Sequence, residues 1–308
     1  MRVVLAGGTG ALGRSCLAAL RDADHDVVAL VRSSRGADLA SALGVASVAG
    51  DVLDPDSLVA AFAGADAVVN LATGVPVGPA ARRRGAWRVH DRLRTTGVAH
   101  VVEAARRAGV RRVVQDSVST LYAAAGERWL TEQSPIEITA STEPAAVGES
   151  EVLAQADSSH TGVVLRFGTV LGDDPRTQAW LRSAVRGRRV GVGEPDDWLH
   201  VLHSEDVGSA VVAALHAPTG VFNVGAEPVR RADVLAALTK AAGAGRTTYA
   251  GAAARWWMGP RFDAAARSLR VGSDHFAAQT GWRPRHPVFD PAWFDVVRTG
   301  RLLHDAPR

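Results

Sequence analysis

The sequence of 308 residues has one cysteine, one lysine and two tyrosines, and it lacks an apolar run long enough to cross a bilayer. The single cysteine, Cys16, excludes an internal disulfide and suits a reducing compartment. Met1 and Arg2 are followed directly by an apolar run, without the pattern of a secretory signal. We therefore expect a cytoplasmic protein with no membrane segment and no membrane partner.

Lysine is scarce because nearly all basic residues are arginines, and Lys240 is the single exception. The isoelectric point near 9.7 is compatible with nucleic-acid binding. The net charge is only +3, however, and acidic residues are interspersed among the arginines. The densest basic runs, 82–84 and 186–189, are better explained as solvated loops, so no nucleic-acid partner is predicted. The histidines are scattered without the spacing of a metal site, and no metal is predicted.

The most informative stretch lies near the start, where a short apolar run leads into Gly7, Gly10 and Gly13. A helical pattern begins at Leu12, so the stretch indicates a strand, a tight turn and a helix. The N–H groups and the dipole of such a helix start favour a phosphate. The glycines let the chain turn, approach a pyrophosphate and pack helix against strand. We predict a dinucleotide site, the alternative being a glycine-rich turn without a ligand.

Short apolar segments alternate with helical patterns, at 3–6, 27–31, 45–49, 67–71, 112–115 and 162–167. This alternation predicts an α/β fold, a Rossmann-type doubly wound parallel sheet with strand order 3-2-1-4-5-6. We predict an NAD(P)-binding domain at 1–170 and a smaller C-terminal substrate lobe at 171–308. The two are expected to be interleaved, with residues about 203–225 returning to the sheet.

Tryptophan is concentrated in the second part of the chain, which holds six of the eight. This distribution favours an apolar or aromatic substrate bound by the C-terminal lobe, although core packing explains the same residues equally well. The six are Trp180, Trp198, Trp256, Trp257, Trp282 and Trp293.

The end of the second strand indicates which nicotinamide nucleotide binds. An acidic residue there would accept hydrogen bonds from a free ribose 2′-hydroxyl, but the sequence has Arg32, with Arg35 and Arg14 nearby. Guanidinium groups pair with a 2′-phosphate, so NADP(H) is predicted rather than NAD(H). The alternative is that these arginines are surface residues. Asp51 and Val52, after the third strand, are predicted to contact the adenine.

The predicted cofactor site combines the glycine turn with the ends of the following strands. Its residues are Gly7, Thr9, Gly10, Ala11, Leu12, Gly13, Arg14, Arg32, Arg35, Asp51, Val52, Leu71, Ala72, Thr73, Gln115, Ser117 and Phe167.

The chain resembles the extended short-chain dehydrogenase/reductase superfamily, in its NAD-dependent epimerase/dehydratase branch, over almost its whole length. Gly7–Gly13 resembles the cofactor fingerprint of that family, and Arg94–Gly97 its helix-four motif, with Arg94 where the family usually has asparagine. The other similar segments are Gly50–Asp54, Asn70–Ala72, Leu165–Gly172, His203–Asp206, Gly220–Val224 and Gly281–Pro284.

The resemblance implies a proton relay in which a tyrosine exchanges the proton and a lysine four residues later lowers its pKa. That relay is missing, because the residues four positions after Tyr122 and Tyr249 are Gly126 and Ala253. The segment Ala145–Glu151, where the pair should fall, contains neither residue type. A tyrosine of ordinary pKa is a poor base at neutral pH, so catalysis must differ from that of the family.

Three residues after the fifth strand are candidates for the chemistry: Ser117, Tyr122 and Asp116. Ser117 matches the serine that precedes the family's active hydroxyl position, which is Val118 here, and Ser119 is an alternative. Tyr122 is a candidate acid, but packing or substrate binding is favoured for it. Asp116 is a candidate base if burial raises its pKa.

We predict an NADP(H)-dependent oxidoreductase that acts on a small apolar or aromatic molecule through a non-standard active site. A redox-neutral isomerase, dehydratase or cyclase is an alternative, as is a non-catalytic NAD(P) sensor. A small-molecule substrate is the expected partner. A homodimer would form through helices at Leu93–Ala108 and Glu149–Ala156, by resemblance to the family.

Overall fold

A computed structural model describes residues 1–83, 85–250 and 262–297. Its centre is a seven-stranded parallel sheet in the order β10-β6-β5-β4-β1-β2-β3. The predicted order 3-2-1-4-5-6 is confirmed, and β10 adds a seventh strand beside β6. Two small two-stranded sheets are formed by β7 with β9 and by β8 with β11. The strands are β1 (Arg2–Ala6), β2 (Asp26–Val31), β3 (Ala46–Ala49), β4 (Ala67–Asn70), β5 (Arg112–Val118), β6 (Thr161–Phe167), β7 (Thr169–Leu171), β8 (Trp198–Leu199), β9 (Val201–His203), β10 (Gly220–Val224) and β11 (Val229–Arg230).

Helices cover both faces of the large sheet. They are α1 (Ala11–Asp22), α2 (Ser34–Ala42), α3 (Pro55–Phe62), α4 (Arg88–Arg92), α5 (Val98–Arg107), α6 (Glu143–Ala154), α7 (Pro175–Val185), α8 (Asp206–Ala214), α9 (Arg231–Ala241) and α10 (Asp274–Thr280). Short 3₁₀ turns occur at Gly78–Arg82, Ser119–Leu121, Ala264–Ala266 and Pro291–Val297. In the described ranges, no helix has the length and apolar character that crossing a bilayer requires.

Side chains of β1 alternate between two apolar layers. Val3 and Leu5 pack with Leu17 of α1, and Val4 packs with Leu58 of α3 on the opposite face. Burying each such side chain stabilises the fold by roughly 1.5–3 kcal/mol. The two layers hold β1 rigidly, which fixes the glycine turn that follows it.

The predicted helix Leu93–Ala108 begins earlier than expected and is not uniform. It consists of α4, a π-helical turn at Leu93–Gly97 and then α5. Gly148 of α6 packs directly on this turn, since a Cβ at Gly148 would lie 2.6 Å from the carbonyl oxygen of Arg94. π-Helical turns are frequent at functional sites. This one brings Arg94 and Glu149 to the same region of the protein.

The four described tryptophans of the second part do not line the large cavity. Trp282 and Trp293 are buried in two different apolar clusters, and Trp180 packs at the edge of the cluster that contains Trp293. Trp198 is half-buried beneath the guanidinium of Arg230, 3.9 Å from the ring centre. None of these four lines the large cavity described below, so core packing was the better interpretation. Trp256 and Trp257 lie outside the described residues.

His200 supplies a prediction about stability. Its side chain is buried, its ring nitrogens have no hydrogen-bond partner within the described ranges, and burial lowers its pKa to about 3. An unfolded histidine titrates near pH 6.5, so between these values the unfolded state binds more protons and stability falls as the pH falls. Lowering the pH from 6.5 to 4.5 should cost about 2–3 kcal/mol through this residue.

The measurement is urea unfolding at several pH values, with His200→Leu compared to the wild type. His200→Leu should lose that part of the pH dependence, whatever its absolute stability. The matched control, His216→Gln, changes an exposed histidine and should leave the dependence unaltered. An unchanged slope in His200→Leu would contradict a neutral buried imidazole.

Candidate active site

A cavity of about 590 Å³ lies at the carboxyl ends of the parallel strands, the usual ligand position in a doubly wound sheet. Most of the predicted cofactor residues lie on its wall: Gly7, Thr9, Gly10, Ala11, Leu12, Gly13, Arg32, Val52, Leu71, Ala72, Thr73, Ser117 and Phe167. The fold therefore brings most of the predicted cofactor residues, which come from distant segments of the sequence, to one cavity. Arg14, Arg35, Asp51 and Gln115 are not on the wall.

The glycine turn has no space for a side chain at Gly7 or Gly13. Gly7 adopts φ +81°, and a Cβ there would lie 2.6 Å from the carbonyl group of Leu71. A Cβ at Gly13 would lie 2.2 Å from the carbonyl oxygen of Gly7. The start of α1 has no side-chain cap, and its first residues line the cavity. This cradle fits the pyrophosphate of a dinucleotide, because backbone donors and the helix dipole converge on it.

Arg32 lies at the opposite end of the cavity from the later strands, beside Ser33 and Val52. Its side chain is 66% exposed, and its Nη1 lies 4.0 Å from Oδ2 of Asp51. The other oxygen of Asp51 accepts the N–H of Leu53 at 2.9 Å. Asp51 therefore shapes its own turn and approaches Arg32, and its predicted contact with adenine stays a prediction.

Gln115 points into the protein rather than into the cavity. Its Oε1 accepts a hydrogen bond from Asn70 at 2.8 Å, and its Nε2 donates to Oδ1 of Asp116 at 2.9 Å. Gln115 is the last residue of β5 that pairs with β4. It supports the cavity wall from behind, which corrects the expectation of direct cofactor contact.

Asp116 lines the cavity but already has partners on both carboxylate oxygens. Oδ2 accepts from Nη2 of Arg94 at 2.7 Å, and both side chains are buried. Burial raises the pKa of Asp116, as a base role would require, while the Arg94 guanidinium acts in the opposite direction. The ion pair with Arg94 compensates the charge of Asp116, and both carboxylate oxygens already accept hydrogen bonds. The base role of Asp116 therefore stays a prediction.

A second buried pair lies behind Ser117. Arg166 donates to Glu149 twice, from Nε at 2.9 Å and from Nη2 at 2.6 Å. Ser117 donates its hydroxyl hydrogen to Oε1 of Glu149 at 2.5 Å. The hydrogen of Ser117 therefore points away from the cavity, and its oxygen can only accept hydrogen bonds from a ligand.

Tyr122 is fully buried and does not line the cavity. Its hydroxyl donates to Oδ1 of Asn223 at 2.8 Å, and the guanidinium of Arg166 lies 4.9 Å from its ring centre. Burial also raises its pKa. The structure therefore argues against the predicted role as a catalytic acid, because no ligand in the cavity reaches the hydroxyl.

The cavity wall also includes residues outside the predicted cofactor site, which carry apolar side chains, hydroxyl groups, an imidazole, a carboxylate and a guanidinium. We call the part of the cavity that they line the distal chamber; its wall includes Val75, Val77, Trp87, His90, Ser119, Thr120, Ser141, Thr142, Ala145, Asp174 and Arg176.

The sequence profile of the NAD dependent epimerase/dehydratase family matches residues 3–225. The chain belongs to this family. A 3-diazoavenalumate denitrifying reductase of a Streptomyces species is 35% identical, in an alignment that covers 93% of this chain and 97% of that protein.

Two solved structures share the fold at lower identity. MoeE5 in complex with UDP-glucose and NAD has a TM-score of 0.77 and 22% identity, with 98% of this chain and all of that chain covered. UDP-glucose 4-epimerase of Thermus thermophilus, in complex with NAD, has a TM-score of 0.76 and 21% identity, with coverage of 96% and 97%. The chain is thus an enzyme of an NAD-dependent family, which disfavours the sensor alternative.

Because the chain belongs to this family, the residues that stand in place of the expected tyrosine and lysine can be compared with that pair. Ala145 lies on the wall of the distal chamber, and Glu149 follows four residues later, buried against Ser117 and Arg166. The tyrosine and lysine implied by the resemblance would have this spacing. An alanine and a carboxylate thus occupy the segment where a proton donor and a cation were expected.

Sequence reasoning identified the missing pair but did not select Glu149, Arg94 or Arg176 as site residues. A signal existed for two of them. Arg94 departs from the family's asparagine, and Glu149 is an acid in the segment expected to hold a lysine. Only the fold shows that these changes form two adjacent ion pairs.

Proposed function

We propose that this enzyme is an NADP(H)-dependent reductase that replaces the cationic diazonium group of a small conjugated or aromatic compound by hydrogen, with release of N₂. The full-length relative is, by its name, a reductase that removes nitrogen from a diazo compound. The observation that carries the proposal is the environment of Ser117. Its hydroxyl hydrogen is donated to Glu149, and the cavity wall lacks the tyrosine that the family's proton relay would supply.

Reduction of a carbonyl group requires a proton donor for the developing alkoxide, and here none is supplied by a relay. Replacement of a diazonium group does not require one: the C–N bond breaks, a C–H bond forms and N₂ leaves uncharged. When bound, the reduced nicotinamide supplies the hydride and is oxidised. The oxygen of Ser117, able only to accept, is suited to a cationic group at this position.

The test compares 4-carboxybenzenediazonium with 4-carboxybenzaldehyde, two probes that share a ring and an acid group. With NADPH, the diazonium should give one N₂ for each cofactor oxidised, measured by mass spectrometry of the gas phase above a protein-free blank. The aldehyde should be reduced far more slowly. Faster reduction of the aldehyde would contradict the proposal, and product without net cofactor oxidation would favour a redox-neutral reaction.

The preference for NADP(H) is part of the proposal and rests on Arg32. It lies on the cavity wall with an exposed guanidinium, in a position to pair with a 2′-phosphate. Arg32→Ala should weaken NADP⁺ binding about 10- to 100-fold and change NAD⁺ binding little. Calorimetric titration with both nucleotides measures this, with Arg35→Ala as the matched neighbour. An unchanged NADP⁺ affinity would refute the assignment.

A further inference from the structure

One residue on the wall of the distal chamber, Arg176, carries a positive charge that the proposed reaction does not use. Arg176 lies on the chamber wall in the first turn of α7, and its side chain is exposed. No carboxylate oxygen of the described residues lies within ion-pair distance of its guanidinium. The other arginine of this region, Arg94, is paired with Asp116 at 2.7 Å.

The nearest acid in sequence, Asp174, is fully used by the helix start. Its Oδ1 accepts the N–H groups of Arg176 and Thr177 at 2.8 and 3.1 Å, and its Oδ2 accepts the hydroxyl of Thr177. Asp174 is buried and attracts the Arg176 guanidinium electrostatically, but its carboxylate oxygens accept hydrogen bonds from the start of α7 and none from that guanidinium. The guanidinium of Arg176 therefore retains its hydrogen-bond donors for a ligand.

The segment that packs against α7 contributes apolar side chains to the chamber wall. The 3₁₀ turn Gly78–Arg82 packs on α7, where a Cβ at Gly78 would lie 3.8 Å from the Cβ of Ala179. The loop before that turn contributes Val75 and Val77 to the chamber wall, and Trp87 follows it. A cation next to an apolar wall selects a ligand with an anionic group on a hydrophobic body.

We propose that Arg176 binds a carboxylate of the substrate and so restricts the enzyme to carboxylated conjugated or aromatic compounds. This inference rests on the proposed function for the substrate's place in the chamber. A guanidinium forms two parallel charge-assisted hydrogen bonds with a carboxylate, which a neutral amide cannot reproduce. Arg176 would then hold the body of the substrate against the apolar wall, with its reactive end toward Ser117.

The test uses binding as well as turnover. Protein saturated with NADP⁺ is titrated with 4-hydroxycinnamate and with its primary amide in a calorimeter. The wild type should prefer the acid about 10- to 100-fold, and Arg176→Gln should bind both with similar affinity. Arg176→Lys, which keeps the charge but loses the fork, should be intermediate. Arg182→Gln changes an exposed arginine of the same helix and should behave as the wild type.

Three further measurements distinguish a lost substrate contact in Arg176→Gln from a general effect on folding or cofactor binding. NADP⁺ affinity and thermal unfolding should be the same for Arg176→Gln and the wild type. For the carboxylated diazonium probe, KM should rise at least about 10-fold in Arg176→Gln, whereas KM for unsubstituted benzenediazonium should not change. Equal binding of acid and amide by the wild type, or an unchanged preference in Arg176→Gln, overturns the inference.

The two proposals fail in different ways. If acid binding depends on Arg176 but no N₂ is released from a diazonium, the inference holds and the proposed function is wrong. If N₂ is released, but KM is changed neither by Arg176→Gln nor by removal of the carboxylate from the probe, the proposed function holds and the inference is wrong.

Discussion

Replacing Gly13 by alanine should weaken cofactor binding about 10- to 100-fold, because the added Cβ costs roughly 1–3 kcal/mol in overpacking that α1 can relieve only by moving off the turn. The Cβ would lie 2.2 Å from the carbonyl oxygen of Gly7 and 2.5 Å from the Cα of Gly8. Both neighbours are backbone atoms, held by the rigid β1. The backbone donors at the start of α1 would then lose their convergence on the pyrophosphate.

The matched control is Gly8→Ala in the same turn. A Cβ at Gly8 meets the Leu17 side chain at 3.4 Å, which is ordinary contact, and Gly8 does not line the cavity. Calorimetric titration with NADP⁺ should show nearly normal affinity for Gly8→Ala. Circular dichroism establishes that both variants are folded. Full affinity in a folded Gly13→Ala protein would show that this turn does not bind the cofactor.

Replacing Glu149 by glutamine should lower the free energy of unfolding by about 3–5 kcal/mol, because Arg166 is left as an uncompensated buried charge. The ion pair is buried on both sides, with two hydrogen bonds from the guanidinium and a third from Ser117. The substitution also frees the orientation of the Ser117 hydroxyl. We therefore expect a change in activity at temperatures where the variant remains folded.

Urea unfolding measures the loss, and Glu151→Gln on the same helix is its control. Glu151 is only partly buried and has no ion pair within the described ranges, so its replacement should stay within about 0.5 kcal/mol of the wild type. The double variant Glu149→Gln, Arg166→Gln should lose less than the two single losses combined. Strict additivity would show that the two residues do not stabilise each other.

The fold could be predicted because its signals are local and repeated. Most strands of the large sheet are short apolar runs followed by a helical pattern, so the parallel order follows from topology rules. The glycine turn was equally clear, because Gly7 and Gly13 occupy positions where any side chain collides with backbone.

The wall after β5 was harder to predict, because it depends on how far each strand extends. Gln115 pairs with Asn70, the last residue of β4, whereas Asp116, Ser117 and Val118 continue alongside β6 alone. The register therefore buries Gln115 and exposes the next three residues to the cavity. The sequence specifies the alternation along β5 but not where its neighbour ends.

The ion pairs were beyond sequence reasoning for a similar reason. Arg94 and Asp116 are 22 positions apart, and Glu149 and Arg166 are 17 apart. Their contact requires the π-helical turn at Leu93–Gly97 and the close approach of Gly148 to it. A packing detail of one helix thus determines which charges meet at the active site.

The most direct test of the proposed chemistry is isotope transfer. The enzyme is given 4-carboxybenzenediazonium and NADPH carrying deuterium at the transferred position, and the benzoate product is examined by NMR. We predict deuterium at the carbon that bore the diazo group, in an amount equal to the cofactor oxidised and the N₂ released. Product that carries only solvent hydrogen at that carbon would contradict hydride replacement of the diazo group.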